Sequence, residues 1–499
     1  MGSTKAQAMF SSDAGISSPI VCPTVLLSST LMAVVFFFVP RSIADPDIWW
    51  HLRNAQILSS THRFIGTDLY SYTAFGAPWI NHEWLGELPF YFGWLHGREH
   101  GLYLITVLAV ELLIMGIFLL AYRRSRNLKS SLLGALIAAA LSTVSFGPRT
   151  VLFGWILLVV ELLLLDFSRD WPFLLWMFPT LFLVWVNTHG TWMIGMVLFA
   201  LYVMAESPRI SGGHLHSNGL AKGWLRQLLC SFALSFAALF VNPYGWRLVA
   251  YPINLAVRQK LNIANVEEWR SLDLLSLRGG TLLLCLALLA LSQLYRPRTW
   301  RPHEVVYLLI GTYAALTHSR FLVLFSILVI PLFARSISLS RGDDSPVKTP
   351  SSLTGAALLF LLCCLVVGRL KDPPELGSKG EAAYPSSSLA FLHGQQIHGR
   401  ILNEYLWGGY IIWNARSIPV FIDSRVDIFE YNGTFKDYLD IIRIKNTVSL
   451  LNKYNIEYVF FEKDTPLVYL LEHTGRWKAD FDDGNVVLLE RIAHEEGDL

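Results

Sequence analysis

What most constrains this chain is a succession of apolar runs broken by short polar turns, many of them close to the ~20 residues that a helix needs to cross a bilayer. The first extends from Ile20 to Pro40. Others fill roughly 84–97, 101–122, 131–146, 150–167 and 171–205, a run ending at Val241, then 280–295, 303–317, 320–335 and Leu353–Val367. Read as helices, they predict a polytopic α-helical membrane protein of about 12 spans. Composition agrees: apolar residues make up 53% of the chain, charged residues 16%, and the mean hydropathy is +0.43. The stretch from Trp171 to Ala205 is too long for one crossing at ~1.5 Å per residue. It must break, and Asn187-Thr188-His189-Gly190 in its middle is the place.

The same composition limits what the chain can do. A net charge of +2, with no basic tract and no glycine-rich phosphate loop, excludes nucleic acid as a partner. Cys22, Cys230, Cys285, Cys363 and Cys364 sit in or against apolar runs without metal-type spacing and read as small hydrophobes. Ser42-Ile43-Ala44 resembles a small-residue cleavage site, but the run before it is longer than a signal core and reads as a span. Residues 1–19, polar and serine-rich, read as disordered. Arg123, Arg124, Arg126 and Lys129 form one basic loop, and Arg296, Arg298 and Arg301 another. The positive-inside rule places both in the cytoplasm. The number of runs between them is odd, however, so one span is missing, merged or re-entrant.

Between the first two runs lies Arg41 to Glu83, rich in Trp, Tyr and Gly where a plain connector would be Ser- and Lys-rich; that is the composition of a loop packed on something. It opens with Asp45-Pro46-Asp47-Ile48-Trp49-Trp50-His51-Leu52. An unpaired acid at a membrane surface is expensive, which favours a functional reading. Pro46 fixes its own φ and pushes Asp45 toward extended backbone, so Asp45 belongs to the loop and Asp47 can open a helix. On that helix Asp47 and His51 share a face. Trp49 and Trp50 suit the lipid headgroup level, giving a short amphipathic helix on the bilayer with its acids turned toward something polar. The plainer role for Asp47 is a helix cap.

Glu83 and Glu87 share one helical face at the start of the second run, with His82 alongside. A divalent cation, Mg or Mn, held by Asp45 or Asp47 with Glu83 and a histidine would suit hard oxygen and imidazole ligands. Equally, Glu83 is simply an acid at a water interface. Arg149 and Arg320 each lie where an apolar run meets a polar turn, and can grip a phosphate with two donors or snorkel to the interface. His189, in the break, can donate to phosphate or sugar, or be a buried histidine satisfied by a backbone carbonyl. From Lys371 the composition is that of a small soluble α/β domain, 371–499. Strands are expected at Arg400–Leu402, Gly409–Trp413, Val420–Asp423, Tyr458–Phe461 and Val486–Leu489, and a helix from Phe435 to Tyr454.

The first-loop residues, together with Tyr72-Thr73, Pro78-Trp79, His82-Glu83-Trp84-Leu85, Asn242-Pro243-Tyr244-Gly245 and Trp407-Gly408-Gly409-Tyr410, resemble a bacterial branch of the GT-C class of integral membrane glycosyltransferases. The resemblance covers most of residues 20–490, although Asp-Pro-Asp departs from the adjacent acid pairs of other branches. It implies a multi-pass cell-membrane enzyme with its site on the extracytoplasmic face. Such an enzyme would transfer a hexosyl or pentosyl group, with inversion, from a polyprenyl-phosphate carrier to a glycan, lipid or protein acceptor. Asp45 would take the acceptor proton as base. Asp47 would position Asp45 or share an acceptor or metal contact, and His51, His82, Glu83, Glu87, Arg149, His189 and Arg320 would bind substrate. A polysaccharide polymerase or ligase would place its long functional loop late in the chain. A transporter would show two similar halves and broken helices meeting near mid-bilayer, and no such repeat is present.

Overall fold

The computed structural model of the protein describes residues 23–492 except 259, 266–268, 339–351, 378–383, 386–387, 390, 393–396 and 398. The expected disorder of residues 1–19 and the position of Cys22 lie outside the described residues. The other four cysteines are free.

The apolar runs become helices α1 (Pro23–Phe38), α2 (Asp47–Thr61), α3 (Trp84–Ser125), α4 (Leu128–Ser142), α5 (Val151–Ser168), α6 (Phe178–Thr188), α7 (Trp192–Glu206) and α8 (Lys222–Ala238). They continue as α9 (Trp246–Arg258), α10 (Lys260–Asn265), α11 (Leu277–Tyr295), α12 (Pro302–Thr317), α13 (Leu322–Leu328), α14 (Ile330–Ile337) and α15 (Ser352–Leu370). Local chemistry sets their starts. Asn127 and Ser276 cap α4 and α11 by accepting the backbone N–H of Ser130 and Gly279. Pro302 and Pro331 stand in first turns, where a missing N–H costs nothing.

By length and composition four of these helices can cross a membrane: Trp84–Ser125, Leu128–Ser145 (α4 with the turn after it), Val151–Ser168 and Leu277–Tyr295. A fifth is added if Ser319–Leu328 and Ile330–Ile337, bent by 48°, count as one. By that measure the described residues do not reach the span count read from the sequence. Leu27–Phe38, Pro172–Thr188, Trp192–Glu206 and Phe360–Leu370 are apolar but shorter. The run 84–97 is a further difference. At Arg98 (φ 50°, ψ −129°) α3 doubles back, and the Gly93 and Gly101 backbones come together so closely that a Cβ on Gly101 would lie 1.7 Å from the Gly93 carbonyl oxygen. The part before Arg98 buries Phe90 and Trp94 in the core it shares with the C-terminal domain.

Trp171–Ala205 breaks where the sequence requires. His189 is extended between α6 and α7, and the Trp185 indole N–H donates to Thr191 Oγ1 at 3.0 Å across the turn. Arg169, just before this stretch, meets Glu206 at its end (3.1 Å), so the stretch is a hairpin of two helices. Splitting it removes the odd count. A chain of ion pairs shows that both basic loops lie at one end of the bundle: Arg124 to Asp166 at 3.0 Å, Arg169 to Glu206, Glu206 to His303 at 2.9 Å, and Glu304 to Arg335 at 2.6 Å.

The first loop and the C-terminal domain share the other end. The domain holds a four-stranded sheet of β1 (Arg400–Asn403), β2 (Ile456–Glu462), β3 (Trp477–Asp482) and β4 (Val486–Arg491), in the order β1-β2-β4-β3 with only β1 and β2 parallel. Two expected strands are not strands. Gly409–Trp413 lies in a helix, Gly408–Asn414, because the glycines let it press on α2: a Cβ on Gly409 would stand 2.5 Å from the Pro46 carbonyl oxygen. Val420 makes one isolated bridge, to Ser71. Phe435–Tyr454 is helical in two pieces, Thr434–Ile442 and Thr447–Lys453.

Loop and domain are laced together. Tyr72 N–H donates to Val420 O (3.1 Å), Val420 N–H to Tyr70 O (3.0 Å), the Tyr72 hydroxyl to Ile401 O and the Thr73 hydroxyl to Phe421 O. Trp49, Trp79 and Phe90 share one core with Trp407, Phe429 and Phe460. This corrects the headgroup reading of the tryptophans: Trp49 is 1% exposed and Trp50 6%, because the C-terminal domain covers α2. Burying such rings is worth more than leaving them at the interface.

Candidate active site

The acids of the first loop are arranged by α2. Asp45 Oδ1 accepts the Asp47 backbone N–H at 2.9 Å, so Asp45, and not Asp47, supplies the capping oxygen where α2 begins. The other Asp45 oxygen meets Arg149 Nε at 2.8 Å, both side chains being largely buried. Arg149 arrives from the Gly147-Pro148 turn just before α5. The Trp50 indole N–H is shared between Asp47 Oδ1 (3.2 Å) and Ser424 Oγ (3.1 Å) of the C-terminal domain. Burial, and then the Asp45 charge, raise the Asp47 pKa from 3.8 to about 7.

One turn further on, His51 lies between two carboxylates. Its Nδ1 is 2.9 Å from Glu87 Oε1 and its Nε2 3.2 Å from Glu83 Oε2. Burial works to lower the His51 pKa, but the Glu87 hydrogen bond and the Glu83 and Glu87 charges outweigh it, and both ring nitrogens donate as an imidazolium. Glu87 is fully buried and held by Asn54 (3.0 Å) and Asn81 (2.9 Å); the Tyr70 hydroxyl in turn donates to Asn54 at 2.6 Å. Glu83, at the N-terminus of α3, also meets His82 Nε2 at 3.3 Å and His189 Nε2 at 3.1 Å. Despite burial, His82 and His189 keep its pKa well below the usual carboxylate range.

His189 Nδ1 accepts the Thr191 N–H at 3.0 Å, so Nε2 carries the proton offered to Glu83. The expected alternative of a backbone carbonyl partner gives way to a carboxylate and an amide N–H. The Arg320 guanidinium lies 4.3 Å from the Trp269 ring centre, and its charge reaches His189. The structure thus gathers Asp45, Asp47, His51, His82, Glu83, Glu87, Arg149, His189 and Arg320 at one end of the bundle.

The C-terminal domain adds residues that the sequence reading did not single out. Besides Ser424, Asp427 accepts the Tyr251 hydroxyl at 2.7 Å, and the Tyr251 ring lies 4.8 Å from that of His82. Behind them, Arg425 is buried between Asp68 of the first loop (2.6 Å) and Asp423 (2.6 Å), with the Tyr70 and Trp79 rings on either side. A visible clue was the polar string Asp423-Ser424-Arg425-Val426-Asp427 directly after an apolar segment.

The residues do not fit the proposed cation as they stand. Asp45 pairs with Arg149 and Glu83 with imidazoles, and among the described residues no three His, Cys, Asp or Glu side chains are arranged to hold a metal ion. A cation would have to displace these partners.

The fold has counterparts among solved structures. The chain aligns over 94% of its length with 74% of the oligosaccharyltransferase of Archaeoglobus fulgidus, solved with a tethered acceptor peptide (TM-score 0.55, 11% identity). It aligns over 94% with 98% of ArnT from Cupriavidus metallidurans bound to undecaprenyl phosphate (0.51, 13%). It aligns over 95% with 40% of the arabinofuranosyltransferase AftD from mycobacteria (0.55, 16%), so it spans well under half of that protein. The chain has the GT-C fold. In this GT-C bundle the acidic first loop lies between the helices and the C-terminal domain. No protein-family model and no curated protein matches the chain.

Proposed function

We propose that this GT-C chain transfers a hexosyl or pentosyl group, with inversion, from a polyprenyl-phosphate carrier to an acceptor at the extracytoplasmic face. The observation that carries the reading is the Asp45–Arg149 pair, 2.8 Å apart, at the end of the bundle where Asp47, His51 and Glu83 converge. The solved proteins of this fold add support: one is bound to undecaprenyl phosphate and another is tethered to an acceptor peptide.

In this mechanism an acceptor hydroxyl attacks the anomeric carbon and its proton passes to the Asp45 carboxylate. The bond from that carbon to the phosphate oxygen breaks, and the carrier phosphate leaves with the electron pair. Arg149, beside Asp45, and Arg320 are the cations at this end that would meet the new negative charge. Glu83 and the histidines around it hold acceptor hydroxyls, and Glu87 fixes His51. A divalent cation belongs to the proposal only as a ligand that loosens the Glu83 cluster, and no step depends on it. A second reading, favoured by the Asp47 pKa near neutrality, makes Asp47 the base.

The distribution of charge supports the outward face. Both basic loops lie at the end opposite the site, so the positive-inside rule turns the acids outward. The test is to offer purified protein a panel of radiolabelled polyprenyl-phosphate sugars. Wild type is expected to transfer one of them, and Asp45→Asn to lose at least ~100-fold in rate, the contribution of a positioned base. No transfer from any donor, or equal rates in the two proteins, overturns the reading. Loss confined to Asp47→Asn moves the base to Asp47.

A further inference from the structure

A cleft of about 470 Å3 opens where α2, the first loop and the C-terminal domain meet, on the far side of Tyr70 from the acids. Two arginines line it, Arg53 from α2 and Arg416 from just after helix Gly408–Asn414, and no acidic side chain lines it. The partners these arginines do have are neutral. Arg53 Nη1 donates to Gln56 Oε1 at 2.6 Å, and the Arg416 guanidinium lies 5.4 Å from the Trp413 ring centre. The two cations feel each other: burial and then the Arg416 charge both push the Arg53 pKa down. Two like charges facing one cavity without a carboxylate between them cost stability, and an anionic ligand would remove that cost.

The remaining walls suit a sugar better than a bare ion. Tyr70 and Tyr72 form the floor, and Leu69 (45% exposed) and Phe75 (73% exposed) form an apolar rim. The volume is in the range of small-ligand sites. The cleft is also wired to the acids, because the Tyr70 hydroxyl bonds Asn54 and Asn54 bonds Glu87, which holds His51.

We infer that this cleft binds an acidic saccharide, with Arg53 and Arg416 gripping its carboxylate or phosphate and the aromatic and apolar walls taking the ring faces. Resting on the proposed transfer, this makes the acceptor an anionic glycan, held beside the site by a residue pair outside the reacting centre.

The test uses the full chain in nanodiscs of zwitterionic lipid, with cellobiouronic acid, neutral cellobiose and inorganic phosphate as probes in calorimetric titrations. The uronic acid is expected to bind at least about tenfold more tightly than either control, and Arg53→Gln/Arg416→Gln to lose that preference, the scale of one charge-assisted hydrogen bond. Arg53→Lys/Arg416→Lys should retain part of it, which separates lost charge from lost folding. Equal binding of acid and neutral sugar, or a preference unchanged in the Gln variant, overturns the inference. So does phosphate binding as tightly as the uronic acid, which would mark a plain anion site, or competition by anionic vesicles but not by the uronic acid, which would mark a lipid site. Asp45→Asn is titrated in parallel: it cannot transfer under the proposed mechanism yet should bind the probe normally, so failure of the transferase reading and failure of the cleft give different patterns.

Discussion

At the residue scale, Asp45 and Asp47 differ in charge state because their surroundings differ. Arg149 faces one, while burial and the first acid's charge act on the other. The Asp47 shift has a signed consequence. Its pKa in the folded protein, about 7, lies above the unfolded value near 3.8. Its contribution to stability is therefore fully present below the unfolded pKa and is lost as pH rises through 7. Thermal unfolding of wild type compared with Asp47→Asn should show the mutant gaining relative stability between pH 5 and pH 8. An unchanged difference across that range would remove Asp47 from the set of buried, shifted acids. The acids and histidines were legible in the sequence because they cluster where apolar patterning stops. Asn54, Asn81 and Ser424 were not, since a polar residue on a helix or in a loop carries no mark of which distant carboxylate or indole it will bond.

At the scale of elements, sequence periodicity located the helices well and misjudged what covers them. The run 84–97 is as apolar as a spanning helix, and only the close approach of Gly93 and Gly101 shows that it turns back. Gly409–Trp413 has the β-branched and aromatic character of a strand, yet it packs as a helix against the Pro46 turn. β3 carries no clear strand signal in the sequence because most of its side chains are exposed and polar. The Arg425 clamp is the element-level feature most open to test. Its guanidinium is almost fully buried between two carboxylates of which one belongs to the first loop. Replacing it, Arg425→Met, leaves both buried acids without the cation between them, with only hydroxyl and backbone N–H donors remaining, and should cost ~3–5 kcal/mol. The expected readouts are a lowered melting temperature and faster proteolysis in the loop 62–83. A variant that unfolds like wild type would show that the clamp does not hold the loop down.

At the scale of the whole molecule, two ends of opposite character define the protein. One gathers the basic loops and the ion pairs from Arg124 to Arg335, and the other the acids, histidines and C-terminal domain. The odd parity of the sequence reading is resolved once Trp171–Ala205 is a hairpin. Orientation can then be checked directly. In a protein freed of its native cysteines, Phe75→Cys should react with a membrane-impermeant maleimide from outside intact cells, and Lys129→Cys only after permeabilisation. The reverse pattern would put the acids in the cytoplasm and overturn the proposed outward-facing transfer.

The shared core of the first loop and the C-terminal domain also bears on biogenesis. Ser424 and Arg425 leave the ribosome 374 and 357 positions after Trp50 and Asp68, the first-loop residues they bond. Until those late residues are translated, the tryptophans of α2 have no cover and the acid pair has no finished wall. A nascent chain already inserted in the bilayer would therefore hold these acids in an incomplete setting until Ser424 and Arg425 have been translated.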